Sequence, residues 1–501
     1  MDSALLAEAR RINRRLFGHI RLTIPSVLAT DERFALRITV FDPTAMPDTD
    51  FAGELCFAPS PGIEGLPERL RLGPDDGGVA RIDGLRATGD PVARVLASID
   101  GVDLCSNPAW VSDDPPYRVF WGDLHVHTTA STCQQWACKS PHFAYAYAQE
   151  VAHLDFCAVA DHLRGLARDA DRWPTLQELA RRYNLPGEFV ALLAFESSHR
   201  TGMGGDNNAY YLGDEAPYFW REREDMYGIK PAVPLEDLWT FLRDTGQSFF
   251  TAPHHTTRDG KYRTFDCDTH DPEAEPLFEI YSAWGSSECP GNRYPLTQGN
   301  TGQRAYFTDA LALGCRFGVI ASSDDHTTLP GGESRNWGSP WGPTAASGYH
   351  HMGMAAVRAP ALTRPELFAN LRARNCYATT CERTMLDFSC EGVGMGQAVT
   401  VDPGDALTRE RRLTVALNLG RQAPVDVVLM RGERELDRRS LNMDRDPTAI
   451  DRVTFHDTDT LADVAIRGAR HHPDPFVVYY VRLETRAGHT QWSSPIWFDL
   501  G

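Results

Sequence analysis

The chain has 501 residues, 42% of them hydrophobic and 24% charged, the balance of an ordinary soluble globular protein. Its formal net charge of −18 argues against sequence-independent nucleic-acid binding, which needs Lys and Arg to displace counterions, and against anionic membrane surfaces. No run approaches about 20 apolar residues, so no transmembrane helix is expected, and about 150 residues per domain leaves room for two to four domains.

Residues 1–20 lack the apolar core of a secretory signal and read as an amphipathic helix. Leu5, Leu6, Ile12 and Leu16 form its apolar face, Arg10, Arg11, Arg14 and Arg15 lie mostly opposite, and Asp2 and Glu8 count against a transit peptide. The 11 cysteines are odd in number and show no paired spacing, so they read as reduced thiols of a cytoplasmic protein. Over 21–118 short strands, such as 34–41 and 92–99, alternate with turns rich in Gly, Pro and Asp. This predicts a small β-sandwich, which with the helix makes a first domain over 1–118, ending in a linker around Pro115-Pro116.

The region 119–384 alternates apolar strands with helical stretches. Strands are expected near 119–127, 155–161, 189–196, 248–254, 277–282, 317–324 and 352–359, and helices over 143–153, 176–183, 234–245 and 364–374, the last behind Thr363 as N-cap. Such alternation predicts an α/β region with a parallel sheet, here seven βα units closed into a distorted (β/α)7 TIM-like barrel. From 385 to 501 the pattern returns to β, with strands at 413–419, 425–430 and 476–483 and a last one ending at 492–497. A second small β-sandwich is expected there.

Metal-ligand residues recur at or near the ends of the central strands. His125 and His127 are two apart on a strand and point to one side. Asp123 shares that side and can orient a ligand from behind. Asp161-His162 follow the second strand. Glu196 follows the third, and its two carboxylate oxygens can bridge two ions. His254-His255 follow the fourth, where alternation favours one of the two. Glu279 alternates onto one face of an apolar strand, a costly place for a carboxylate unless it is paired or metal-bound. Asp324 and His326 share a face after the sixth strand. Mixed imidazole and carboxylate sets suit hard and borderline divalent ions, and paired ions make a template for displacement at phosphorus or a carbonyl.

The motifs His125-Val126-His127, Asp161-His162, Glu196, His254 or His255, and Asp324-Asp325-His326 together resemble the polymerase and histidinol phosphatase (PHP) superfamily of metallohydrolases. The stretches Trp121 to His125, Phe278 to Ser282 with Gly285 to Glu288, and Arg374 to Thr380 are similar to a large bacterial branch of uncharacterised PHP-like proteins. The resemblance implies a distorted seven-stranded barrel, two or three divalent metal ions (Mn, Zn or Fe), and phosphoester hydrolysis. Where the family often places a further His, this chain has Cys133. Either a thiolate serves as a softer ligand or the centre holds two metals. Glu279 stands near a position where the family often has His or Cys, a shift towards oxygen that suits Mn or Fe.

Among loop residues, Arg304 and Arg335 are candidates to clamp a substrate phosphate, and Asn208, in Asp206-Asn207-Asn208, to line the pocket. Trp136, Trp284, Trp337, Trp341, Arg258 and Lys261 lie in comparable loops, where ordinary packing is the plainer reading. The expected function is a metal-dependent hydrolase of a small-molecule substrate, phosphoesterase first, with Glu196 bridging and Asp324 or His326 handling a proton. A hydrolase of a carboxylic ester, lactone or amide is the second reading. A metal-containing binding protein without turnover is the third.

Overall fold

The computed structural model describes residues 4–5, 8–9, 19–42, 44–133, 138–163, 169–199, 202–219, 233–258, 263, 269–296, 304–331 and 351–501. The N-terminal helix expected over 1–20 lies largely outside them. The first domain is built from two four-stranded antiparallel sheets. One runs His19–Thr23, Arg33–Phe41, Val79–Ala87, Ile63–Glu64, and the other Val102–Cys105, Leu96–Ile99, Gly53–Phe57, Arg69–Leu72. Along Arg33–Phe41 burial alternates through Phe34, Leu36 and Ile38, the period of a strand with one face on a core. Those side chains pack with Leu22, Leu55, Leu85 and Ala97.

Among the described residues the central region supplies the two-residue strand Gly285–Ser286 and nine longer ones: β1 (Arg118–Val126), β2 (Phe156–Val159), β3 (Val190–Ser198), β4 (Asp206–Tyr211), β5 (Phe249–Pro253), β6 (Leu277–Ser282), β7 (Gly318–Ala321), β8 (Met354–Ala359) and β9 (Cys376–Thr379). Helices Pro141–Glu150, Asp169–Arg182, Leu235–Asp244, Phe307–Ala312 and Arg364–Arg372 lie between them. Ser140 caps the first by accepting from Phe143 N–H, and Thr363 caps the last by accepting from Glu366 N–H.

This arrangement corrects the expected (β/α)7 TIM-like barrel. Only β1–β2–β3 and β6–β7 pair in parallel, while β3–β4–β5 and β1–β8–β9 pair antiparallel. The main sheet runs β5–β4–β3–β2–β1–β8–β9 and then continues, through Thr490–Ser493 and Phe476–Thr485, into the C-terminal region as part of a 13-stranded sheet. It does not turn back to close a ring. β6 and β7 form, with Gly285–Ser286 on the outer side of β6, a separate three-stranded sheet, joined to the main one by the isolated bridge Val126↔Asp325. Among the described residues 31 strands stand against six α-helices, so the protein is mostly β with several open sheets. β4, unmarked in the sequence pattern, breaks the βα alternation because β3 turns back on it as a hairpin.

In 385–501 a second layer, Met385–Cys390, Arg411–Asn418 and Asp451–Asp457, packs over the continued main sheet. Leu386, Phe388, Val415, Val427, Tyr479 and Val481 are buried between the two. No described helix is long and apolar enough to cross a membrane.

Two positions make the packing testable. Gly122 lies opposite Phe156 in the parallel register, and a Cβ there would come within 2.2 Å of the Phe156 ring. Gly122→Ala should destabilise by about 1–3 kcal/mol, the usual cost of overpacking a filled core, read as a lower thermal midpoint. His153 is buried where the first domain meets the central one. Thr39 donates its hydroxyl to Val151 O at 2.9 Å, so at 2.9 Å from His153 Nε2 it accepts from that nitrogen. Burial, reinforced by Arg383, Arg21 and Arg37, holds the His153 pKa well below the usual value. The unfolded chain therefore gains a proton that the folded one refuses as pH falls below about 6.5. Stability should be lost on that descent, and His153→Asn, which also tolerates the left-handed φ of 56° there, should flatten the acid limb of midpoint against pH.

Candidate metal centre

Every expected ligand except Cys133 is buried, and all but Asp161 and Glu279 converge on one point between the two sheets. β1 delivers His125 and His127, the turn after β2 delivers His162, β3 carries Glu196, the end of β5 delivers His254 and His255, and the turn after β7 delivers Asp324 and His326. Glu196 lies at the middle. Its Oε2 is 3.0 Å from His162 Nε2, 3.3 Å from His127 Nε2 and 3.5 Å from His125 Nε2, and its Oε1 is 3.1 Å from His254 Nε2. Asp324 faces it from the smaller sheet. Its Oδ1 is 3.2 Å from His127 Nε2 and 3.5 Å from His125 Nε2, and its Oδ2 is 3.3 Å from His255 Nδ1.

Among the described residues, four groups have ligand atoms within 4.8 Å of one another: His125, Glu196, His254; His125, His127, Asp324; His127, Cys133, His162; and Asp206, His254, His255. Cys133 Sγ also lies 3.4 Å from His326 Nε2, whose other nitrogen donates to Asp324 O at 3.1 Å. Both histidines of the His254-His255 pair join the cluster, against the alternation of a strand. His255 has φ 31°, a left-handed backbone that swings its ring beside that of His254, with centroids 4.2 Å apart. Asp324 is left-handed too, at φ 48°. Strained backbone of this kind collects at functional sites.

Two expected ligands stand behind the cluster instead. Asp161 accepts from Thr128 N–H at 2.6 Å and from its hydroxyl at 2.5 Å, and its Oδ1 is 3.9 Å from His127 Nδ1. It braces the turn below His127. Glu279 Oε2 is 3.1 Å from His125 Nδ1, so it orients that ring while Nε2 faces the cluster. Among the described residues Asp123 has no imidazole partner. Its carboxylate accepts backbone N–H groups of His125, Ser323 and Gly331 and so ties the loop after β7 to β1.

Asn208 is fully buried and pairs with Glu196 across the β3–β4 ladder. Arg304 is exposed and lies 3.6 Å from Asp309. Arg335, Trp136, Trp337, Trp341 and Lys261 lie outside the described residues. Sequence reasoning did not single out Asp206 as a ligand. It accepts from His255 Nε2 at 2.9 Å, and only the β4 pairing brings it there.

The electrostatics are those of a cation site. Burial would raise the Glu196 carboxyl, but His162 and His254 hold it well below the usual range. Asp324 is likewise held low, against burial, by His125 and His127. Burial would lower His125, but Asp324 and Glu279 lift it well above the usual value. His254, penalised by burial and by His255 and His125, falls to about 3 and stays neutral. Burial would raise the Cys133 thiol, yet His127 and His326 bring it well down. His125 Nε2, His254 Nδ1 and Glu279 Oε1 are buried without a hydrogen-bond partner, an arrangement that is costly unless another ligand satisfies them. The donor set of imidazole, carboxylate and thiol fits divalent Mn, Fe or Zn.

No family model matches the chain. It is 24% identical over 400 residues to a Chlamydia pneumoniae protein described as uncharacterized, covering 78% of this chain and 58% of that one. A Chlamydia trachomatis protein of the same description is 27% identical over 274 residues, covering 53% of this chain and 41% of that one. The chain thus spans about half the length of the curated relatives it matches. Among solved structures, a Paenibacillus cycloisomaltooligosaccharide glucanotransferase aligns over 95% of this chain and 71% of its own at 10% identity, with a TM-score of 0.25, too low to indicate a shared fold.

A ligand that binds only the folded chain stabilises it by about 2.7 kcal/mol at a hundredfold excess over Kd. Mn or Zn added to chelator-treated protein should raise the thermal midpoint accordingly, and Glu196→Gln should remove the rise. An unchanged midpoint in the parent protein would show that the cluster binds neither ion.

Proposed function

We propose that the protein is a metal-dependent hydrolase and, within that class, a phosphoesterase. The observation that carries the reading is the sharing of one carboxylate, Glu196, by four imidazoles, with Asp324 opposite. A buried anion so placed suits two or three divalent ions within a few ångströms of each other. Such ions would supply Lewis acidity to a scissile phosphoester and to the attacking water.

The chain's own residues divide the remaining work. His125, His127, Glu196 and Asp324 would hold the middle of the centre, His254 one flank, and His162, His326 and Cys133 the other. Glu279 fixes the His125 ring through Nδ1, and Asp161 with Thr128 fixes the turn that presents His127. The Asp206–His255 pair leaves His255 Nδ1 turned to Asp324. Asp324 and His326 are the groups placed to accept or return a proton, because each presents an atom to the cluster while the backbone of the β7 turn holds it.

The test is elemental analysis of the purified protein together with hydrolysis of p-nitrophenyl phosphate with and without added Mn. About two or three equivalents of metal with metal-dependent turnover are expected. Glu279→Gln, which keeps the side chain's size, should cost about 10–100-fold in metal affinity or activity. Metal-replete protein that releases no phosphate would overturn the phosphoester reading.

A further inference from the structure

Beside the cluster stands a cation that the site as described does not use. Arg258 lies three residues beyond His255, and its backbone N–H donates to His255 O at 2.9 Å. The residue is only 8% exposed. Its guanidinium carbon sits 4.3 Å over the ring of Trp284, itself 1% exposed. The Trp284 ring in turn meets His326 edge-on, with centroids 5.9 Å apart at 89°. The pair therefore forms one wall of the metal centre on the His326 side.

Neither side chain pairs with a protein acceptor among the described residues. Trp284 Nε1 is buried without a hydrogen-bond partner. Among the described residues no carboxylate forms an ion pair with Arg258, and its side chain donates no hydrogen bond. The nearby carboxylates already have other partners, Asp206 on His255, Asp324 on His127 and His255, and Glu196 on four imidazoles. Burial lowers the Arg258 pKa, although Asp324, Asp206 and Glu196 oppose the shift. A guanidinium this little exposed stays charged, and an anion is its natural partner. Stacking on an indole restrains its plane and leaves the edge with its five donors free.

We infer that Arg258 and Trp284 form an oxyanion-binding subsite, so that the substrate carries a phosphate-like or carboxylate group held by the Arg fork and the indole N–H. This rests on the hydrolase reading of the adjoining cluster and narrows its substrates to anionic ones. The fork makes two parallel charge-assisted bonds to such a group, which a Lys cannot reproduce.

The test uses the full chain loaded with Mn and three variants, Arg258→Met, Arg258→Lys and Trp284→Phe. Three readouts are taken: metal equivalents, affinity for inorganic phosphate and for acetate by calorimetry, and KM against kcat for p-nitrophenyl phosphate. Arg258→Met should weaken phosphate about tenfold or more at unchanged metal content, with KM rising in proportion. Trp284→Phe, which keeps the stack and loses the N–H, should weaken it severalfold. Arg258→Lys should recover only part of the loss, and it decides the matter if Arg258→Met folds poorly. Loss of acetate rather than phosphate affinity supports the subsite and identifies the group as a carboxylate. Unchanged affinity for both anions in Arg258→Met and Arg258→Lys overturns the subsite, whatever the turnover. Arg258-dependent phosphate binding by metal-loaded protein that hydrolyses nothing leaves the subsite standing and removes the hydrolase reading.

Discussion

One buried carboxylate organises this molecule. Glu196 sits inside β3 at 3% exposure, with imidazoles on both oxygens. A charge so far from water is tolerated only because partners surround it. Those partners come from β1, the β2 turn and the end of β5, and Asp324 completes the shell from the other sheet. The strand ends must therefore meet at one point, and the surrounding hydrogen bonds serve that meeting. Asp123 ties the β7 loop to β1, Thr128 and Asp161 shape the turn after His127, and the bridge between Val126 and Asp325 seats the smaller sheet.

Much of the site was legible because each ligand follows or interrupts an apolar run, where a charge needs a reason. The face each residue would present was less so. His255 enters the cluster through a left-handed φ, which a residue pattern does not encode for a non-glycine. Asp161 and Glu279 carry the right chemistry but sit behind the ligands, a matter of a few ångströms set by Thr128 and by the tilt of the His125 ring. Asp206 comes from a strand hidden in a polar run, Asp206-Asn207-Asn208, whose burial follows from pairing with β3 and not from hydrophobicity.

The fold class was misread for a related reason. Helical stretches do alternate with strands here, and most of the expected helices lie near their predicted positions. Periodicity reports which residues are buried, but not whether the next strand lies parallel, nor what pairs with the last one. β4 inserts an antiparallel hairpin, β8 and β9 reverse direction, and the open edge of β9 finds Thr490–Ser493 at the far end of the chain. Partners separated by more than a hundred residues leave no trace in a local pattern.

That last pairing bears on how the chain can be cut. A boundary at 384/385 looks natural by composition, yet the hydrogen-bonded ladder crosses it, so the C-terminal segment caps the sheet that bears the candidate metal centre. A fragment ending there would bare the backbone donors and acceptors of Cys376–Thr379 along a buried, apolar strand. An unprotected edge of that kind is a template for pairing with other copies, and the isolated central region would tend to aggregate before its chemistry could be assayed.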